Sequence, residues 1–429
     1  MTASIRPLVE QYVEVIAVLW TQRRLAVTGA SHDLSTLAAL DERLAAHLEG
    51  LQVSGAAGWH ESLRAVDDTA GPGEAFTAAV LALDAGDADG LSRLLQRIEA
   101  APAQPDGTDA LDGVIGACGW VERSRLLHIA GDWLSSPDAR LRRLGVAACA
   151  AHRVEPRRHW AALIEDPVPA VRSRALRLAG ELGTLPLLET CLDRAATEDH
   201  PEVRGWAAWS AVLLGDREAG LRALLDHAAE RPGGASFDLA LQVQDARDAH
   251  GWLKRVAAQG LDLRTLLRGS GLVGDPAYVP WLLDQMAVPT QARLAGLSFS
   301  LITGAVLESA PLRGEPVPGA DAGPTDDPDD EFVGMDPDDG LPWPDAAAVA
   351  AWWQGHRERL PAGRRLLTGE APDEAHLLHV LATGRQRARS IAATALALRR
   401  PGQPLFDVEA PVARQHLALN ARREETASA

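Results

Sequence analysis

The sequence predicts an all-α protein, an α-solenoid of stacked helical hairpins interrupted by a long acidic, Pro/Gly-rich loop insertion. Three observations carry that reading. Arg172, Ala175, Ala179 and Gly183 stand at relative positions 0, 3, 7 and 11, and Arg204, Ala207, Ala211 and Gly215 repeat that spacing 32 residues later. Arg142, Gly145 and Cys149 fit the same frame 30 residues before Arg172. Each framed stretch follows a helix starter: Ser136-Pro137-Asp138, Asp166-Pro167 and Asp199-His200-Pro201.

Positions 0, 3, 7 and 11 share one face of a 3.6-residue helix, and small side chains there let a neighbouring helix approach closely. Gly at position 11 suits a left-handed helix end. Asp or Ser can accept the free N–H groups of a first turn, where Pro is also tolerated. A second amphipathic stretch follows each cap, as from Leu185 and from Ala219. One hairpin cannot bury its apolar face alone, so a period near 30 residues implies a stack.

Taken in order, residues 1–50 read as a two-helix N-terminal cap and 51–310 as the repeat solenoid. Residues 346–420 read as C-terminal helices that close the stack, and 421–429 as a frayed tail. Phe76 to Ile98 has the layout of the stretch from Trp206: an Ala-rich helix, a Gly-Asp break, then a Leu-rich helix. Arg264 with Gly274 and Arg293 with Gly304 continue the frame, and their spacing leaves one repeat hidden near Gly234 to Asp245. Arg385, Ala388 and Ala392 restore it near the C-terminus. Residues 311–345 break the pattern with many Pro, Gly and Asp, too many for a helix and too polar for a core.

Apolar residues make up 46% of the 429, ample for a core, and the net charge is −17. That balance argues against nucleic acid as a partner, since a phosphate backbone needs a basic face. Cys118, Cys149 and Cys191 lack metal or redox spacing and read as buried thiols in a reducing compartment. The apolar run at Val13–Trp20 is too short to span a bilayer. The expectation is a cytoplasmic protein with no cofactor and no membrane contact.

The acidic loop is the main candidate for binding a partner, through Asp326, Asp327, Asp329, Asp330, Glu331, Asp336, Asp338 and Asp339. These carboxylates lack the spacing of a calcium loop and suit a basic protein surface instead. Trp343, in a Pro-bounded turn, and the pair Trp352-Trp353 are candidate anchors, for a partner or for the loop itself. His376 and His379 stand three apart on one helix without a third metal ligand. No GxSxG, phosphate-binding loop or dinucleotide fingerprint occurs, so no catalytic residue is assigned.

The Val171-Arg172 and Val203-Arg204 pairs, with Leu182-Gly183 and Leu214-Gly215, resemble short bacterial HEAT repeats. In that family the Arg and the preceding Asp are structural. The resemblance implies such roles for Asp166, Arg172, Asp199 and Arg204, with Arg142, Arg293, Gly183 and Gly215 at matching frame positions. The stretch from Met335 through Leu341-Pro342-Trp343-Pro344-Asp345 to Trp352-Trp353 resembles a proteobacterial family of HEAT-repeat proteins often encoded near type VI secretion genes. A curved helical stack presents an extended concave surface, and with the acidic, Trp-bearing loop it suits a non-catalytic scaffold, adaptor or chaperone. The resemblance implies a cytoplasmic bacterial protein accessory to effector loading, with a secretion effector or spike component as partner. Two alternatives stay open. One is a HEAT-like DNA-alkylation repair glycosylase, kept in view by Trp206 and Trp209; the other is a toxin-neutralising immunity protein.

Overall fold

Asp138 shows how a hairpin begins: its carboxylate accepts the Arg140 amide at 2.8 Å, and the helix runs on from Ala139. The computed structural model describes residues 6–102, 109–320 and 336–428. Within them the chain is helical, with only two isolated β-bridges, Arg313–Pro344 and Leu367–Glu370. It divides into two compact units. Unit 1 is Met1–Gly215 together with Pro401–Ala429, and unit 2 is Asp216–Arg400.

Unit 1 begins with α1 (Arg6–Thr28), α2 (Leu34–Val53), α3 (Ala56–Thr69), α4 (Pro72–Ala85), α5 (Ala88–Ala100) and α6 (Ala110–Trp120). It continues through α7 (Arg123–Trp133), α8 (Ala139–Ala151), α9 (Trp160–Ile164), α10 (Pro169–Leu182), α11 (Leu188–Thr197) and α12 (Pro201–Leu213). The first helices of successive hairpins, α4, α6, α8, α10 and α12, pack side by side in that order, and α1 and α2 cover the α4 end. Small residues set the spacing: a Cβ on Gly113 would stand 1.9 Å from the Pro72 carbonyl oxygen. Ser210, fully buried in α12, donates to the Leu176 carbonyl of α10 at 2.7 Å. Phe76 is fully buried and stacks on Trp20 with ring centroids 5.3 Å apart; removing so large a core ring costs about 3–5 kcal/mol.

Unit 2 contains α13 (Ala219–Glu230), α14 (Ala235–Val243), α15 (Ala246–Ala258), α16 (Leu263–Val273), α17 (Val279–Met286), α18 (Pro289–Thr303), α19 (Ala346–His356), α20 (Glu374–Thr383) and α21 (Gln386–Arg399). Here α14, α16 and α18 lie side by side, and Ser298 repeats the buried serine bond to Leu267 O at 2.8 Å. The hidden repeat is therefore α14. The helix framed by Arg385, Ala388 and Ala392 is α21, which packs beside α14, the first helix of this row, so it does not follow α18. The chain then returns to unit 1 with α22 (Val412–Ser428). The expected frayed tail is instead helical through Ser428, in keeping with its Ala, Arg and Glu residues, which favour a helix.

Gly183, Gly274 and Gly304 end α10, α16 and α18 with φ of 69°, 72° and 74°, the left-handed geometry that position 11 asks for. In the first copy Arg153 takes that position with φ of 52°.

Candidate functional site

At the N-terminal edge of the first helices, the frame arginines form a ladder. Arg142 holds Asp166 through Nε and Nη2 at 2.5 and 2.9 Å, while Nη1 donates to the carbonyls of Ser136 and Pro137. Arg172 repeats this, with Nη1 on the carbonyls of Asp166 and Pro167 and Nη2 on Glu198 at 2.8 Å. Arg204 donates to the carbonyls of Glu198 and Asp199. The acid that joins this rung is Glu198, not Asp199, whose side chain is exposed and which contributes its carbonyl. Gly215, at φ 111°, lies against Pro401.

In unit 2 the ladder takes its acids from the loop after α18. Arg264 binds both Asp338 oxygens, at 2.9 and 2.5 Å. Arg293 donates to Asp336 and to the Asp338 carbonyl and stacks over Trp343, 4.7 Å from its centroid. Asp336 and Asp338, read from composition as partner-binding, are thus engaged within the chain, and Asp338 is buried. Asp339 is exposed and turns back on the Gly340 amide. Trp353 is in the core with Phe299, Val349 and Leu267. Trp352 meets Phe299 edge-on and stacks on His356 at 3.9 Å. Trp353 is buried, and the half-buried Trp343 and Trp352 pack against Arg293 and against Phe299 and His356. Asp326, Asp327, Asp329, Asp330 and Glu331 lie outside the described residues.

The opposite edge, at the C-terminal ends of the first helices, carries a feature the frame does not show. In each unit a non-helical segment with two turns, here called a strap, crosses those ends. Strap 2 spans residues 360–372. Its Leu366 and Thr368 amides donate to Gly274 O at 2.8 Å and Leu301 O at 2.7 Å. Arg365 inserts among the carbonyls of Leu241, Gln242 and Val273, and burial lowers its pKa to about 10. His376 Nε2 meets Leu367 O at 2.7 Å, so this histidine secures the strap.

Strap 1 spans residues 401–411. Its Leu405 amide donates to Glu181 O at 2.9 Å, and its Leu405 carbonyl receives Arg153 Nε at 3.1 Å. Arg23 donates to the carbonyls of Glu409 and Ala410 while its Nε pairs with Asp41. Gln415 Nε2 holds the carbonyls of Val408 and Ala410. The two straps share a sequence: Gly363, Leu366, Glu370, Ala371 and Pro372 recur as Gly402, Leu405, Glu409, Ala410 and Pro411, each 39 residues on. His376 and Gln415, which secure the two straps, are also 39 apart. This motif was readable in the sequence, but it has no helical period and so escapes a search for helix faces.

Strap 1 closes over a charged seam. Arg174 and Arg177 grip Glu181 at 2.9 and 2.7 Å, and Arg177 lies over Trp206, 4.5 Å from its centroid. Burial works against the Glu181 carboxylate, yet Arg174, Arg177 and Arg153 outweigh it and hold its pKa down to about 2. Arg153 stands 3.9 Å from Asp407. Glu409 is exposed; the protein crowded around it, with repulsion from Asp407 and Glu181, raises its pKa against the pull of Arg177 and Arg23. Arg414 of α22 donates to Ala151 O and Gly119 O and to His152 Nδ1. His152 Nε2 meets Cys118 O at 3.0 Å. This pattern fits the neutral tautomer protonated at Nε2, and burial with the nearby Arg414 charge lowers the His152 pKa to about 4. Of the two tryptophans that kept DNA repair in view, Trp209 is buried and Trp206 lies under Arg177.

Burial pushes the Cys118, Cys149 and Cys191 thiols up to about 12, 11 and 12. Among the described residues no group of three or more His, Cys, Asp or Glu is placed to hold a metal ion, and no helix is long and apolar enough to cross a membrane. No protein-family model, curated protein or solved structure matches the chain.

Proposed function

We propose that this chain is a protein-binding scaffold or adaptor that recognises non-helical polypeptide. One observation carries the reading: the fold already binds two such segments, its own straps, by the same means. In each, strap amides donate to carbonyls at helix C-terminal ends, and arginines take up the remaining carbonyls of strap or helix. Helix ends carry unsatisfied carbonyls and a negative dipole, so an edge of stacked helix ends is a repeating peptide-binding surface. The resemblance to proteins encoded near type VI secretion genes makes an effector or spike component the partner to try first. The test is affinity purification of the tagged chain from native extract with cross-linking. A discrete partner that co-purifies in constant proportion is expected; recovery of none, with the cross-linker active on a control pair, would sink the scaffold reading.

A further inference from the structure

The straps show which atoms of this edge a crossing chain uses. At two of the left-handed glycine caps, a strap amide meets the carbonyl two residues before the glycine. Leu405 N donates to Glu181 O, two before Gly183, at 2.9 Å, and Gly369 N donates to Ile302 O, two before Gly304, at 3.1 Å. The strap backbone also fills the space over each cap. A Cβ on Gly183 would stand 2.6 Å from the Gly402 carbonyl carbon, and one on Gly304 would stand 2.4 Å from the Thr368 carbonyl oxygen.

The first helix of the unit 1 row, α4, ends in the same way, but its cap is bare. Gly113 near the start of α6 meets Pro72 at the start of α4, so the two helices run parallel and their ends share the edge. Gly86 is left-handed at φ 64°, and its amide closes on Ala82 O and Leu83 O. It is exposed, and a Cβ there would meet nothing within 4 Å. The carbonyl two residues before it belongs to Asp84. That carbonyl receives no main-chain amide; Arg125 Nη1 holds it at 2.7 Å, from a side chain that is 58% exposed. An exposed guanidinium gains little from one carbonyl, because water serves both groups nearly as well. Gln52 Nε2 fixes the Asp84 carboxylate at 2.7 Å, and the next residue, Val53, is 84% exposed. An apolar side chain therefore stands bare beside the bare cap.

We propose that the end of α4, Asp84 to Gly86 between Val53 and Arg125, docks a non-helical segment of a partner protein, which lays a main-chain amide on the Asp84 carbonyl in place of Arg125 and an apolar side chain on Val53. This rests on the scaffold reading and names its binding site. The site continues the edge that the straps occupy, so the segment it fits is built like them. It has a glycine over the cap and, three residues on, a leucine that donates its amide, as Gly402 and Leu405 do in strap 1 and Gly363 and Leu366 in strap 2.

The probe is a fluorescein-labelled synthetic peptide of residues 401–410, titrated by anisotropy into the full-length chain. A Kd below about 100 μM is expected. The same peptide N-methylated at Leu405 keeps every side chain and loses the donated N–H, so it should bind at least about tenfold more weakly. Val53→Asp, a change at an exposed position, should weaken the unmodified peptide by about tenfold as well. Arg125→Ala clears the carbonyl and should tighten binding by about threefold or more. The proposal is overturned if the natural chain does not bind the peptide, or if N-methylation is without effect. Binding indifferent to Val53→Asp or to Arg125→Ala would overturn it too, by placing the peptide elsewhere, the seat of strap 1 included. Self-association of the natural chain that Val53→Asp abolishes would overturn it by giving the site to a second copy. A partner captured from native extract alike by the natural and Val53→Asp chains would remove this site and leave the scaffold reading intact.

Discussion

The two straps are one device fastened from different sides: strap 2 has Arg365 where strap 1 has Pro404, while both keep the same glutamate, Glu370 and Glu409. Both cross the C-terminal ends of neighbouring first helices, both enter through a glycine at positive φ (80° at Gly363, 92° at Gly402), and both donate a leucine amide to the main chain at a helix end. In unit 2 the strap brings Arg365 and is fastened on each side by helices. In unit 1 the body brings the arginines, and the strap brings Asp407 where strap 2 has Thr368. The lesson is that the same backbone pairing can be fastened from either side, by an arginine of the strap or by arginines of the body.

The largest expected effect comes from removing the two capping arginines. Arg365→Ala leaves the carbonyls of Leu241, Gln242 and Val273 unmet beneath strap 2, and should cost about 3–5 kcal/mol by chemical denaturation. Arg414→Ala uncovers two carbonyls, those of Gly119 and Ala151, rather than three. Its cost should be about 1–2 kcal/mol, with one hydrogen-bonded carbonyl less. Equal costs would mean that the number of carbonyls served does not set the loss.

A glycine series sharpens the point. Gly86 has φ of 64°, and a Cβ there would meet nothing within 4 Å, so Gly86→Ala should cost only the left-handed penalty of about 1–2 kcal/mol. A Cβ at Gly274 or Gly304 would also stand 2.4 Å from strap 2 carbonyl oxygens, of Leu366 and Thr368. Those substitutions should cost about 3 kcal/mol or more. Gly183→Ala meets strap 1 and should fall close to the Gly86 value if that strap yields. Thermal melts of the four variants decide this.

Much of the stack was legible because repeat geometry writes itself into spacing. The frame placed α8, α10 and α12, the hidden α14, and the left-handed caps at Gly183, Gly274 and Gly304. The site was not legible in the same way. Asp336 and Asp338 look like any other loop acids until the chain brings them to Arg264 and Arg293. Trp343 and Trp352 could not be told from exposed anchors, because what covers them, Arg293 in one case and Phe299 with His356 in the other, comes from distant or same-helix positions that composition does not rank. The straps were missed for a different reason. Their shared Gly, Leu and Glu-Ala-Pro positions follow main-chain pairing across helix ends, which imposes no period of 3.6.

The smallest effect at neutral pH, and the most specific to unit 1, concerns acid. His152 is buried, neutral and bonded on both ring nitrogens, with its pKa lowered to about 4 from the ordinary 6.5. A base whose folded pKa is depressed binds fewer protons in the native state, so its contribution is full above about 6.5 and is lost as pH falls towards 4; the shift corresponds to at most about 3 kcal/mol. Glu181, held to about 2, has the same sign in a lower window, losing its contribution as pH falls from its ordinary 4.5 towards 2. Glu409, with its pKa raised, works the other way: protonation relieves its repulsion with Asp407 and Glu181 and favours the closed strap. Unit 2 relies on Arg365, which stays charged throughout this range. Hydrogen exchange between pH 7 and 4.5 should therefore show α6, α8 and α22 opening progressively while strap 2 holds. His152→Gln can keep a donor to Cys118 O and an acceptor for Arg414, so it should change little at pH 7 and flatten that acid dependence. An acid response that persists unchanged in the glutamine variant would move its origin from this histidine to the carboxylates of the seam.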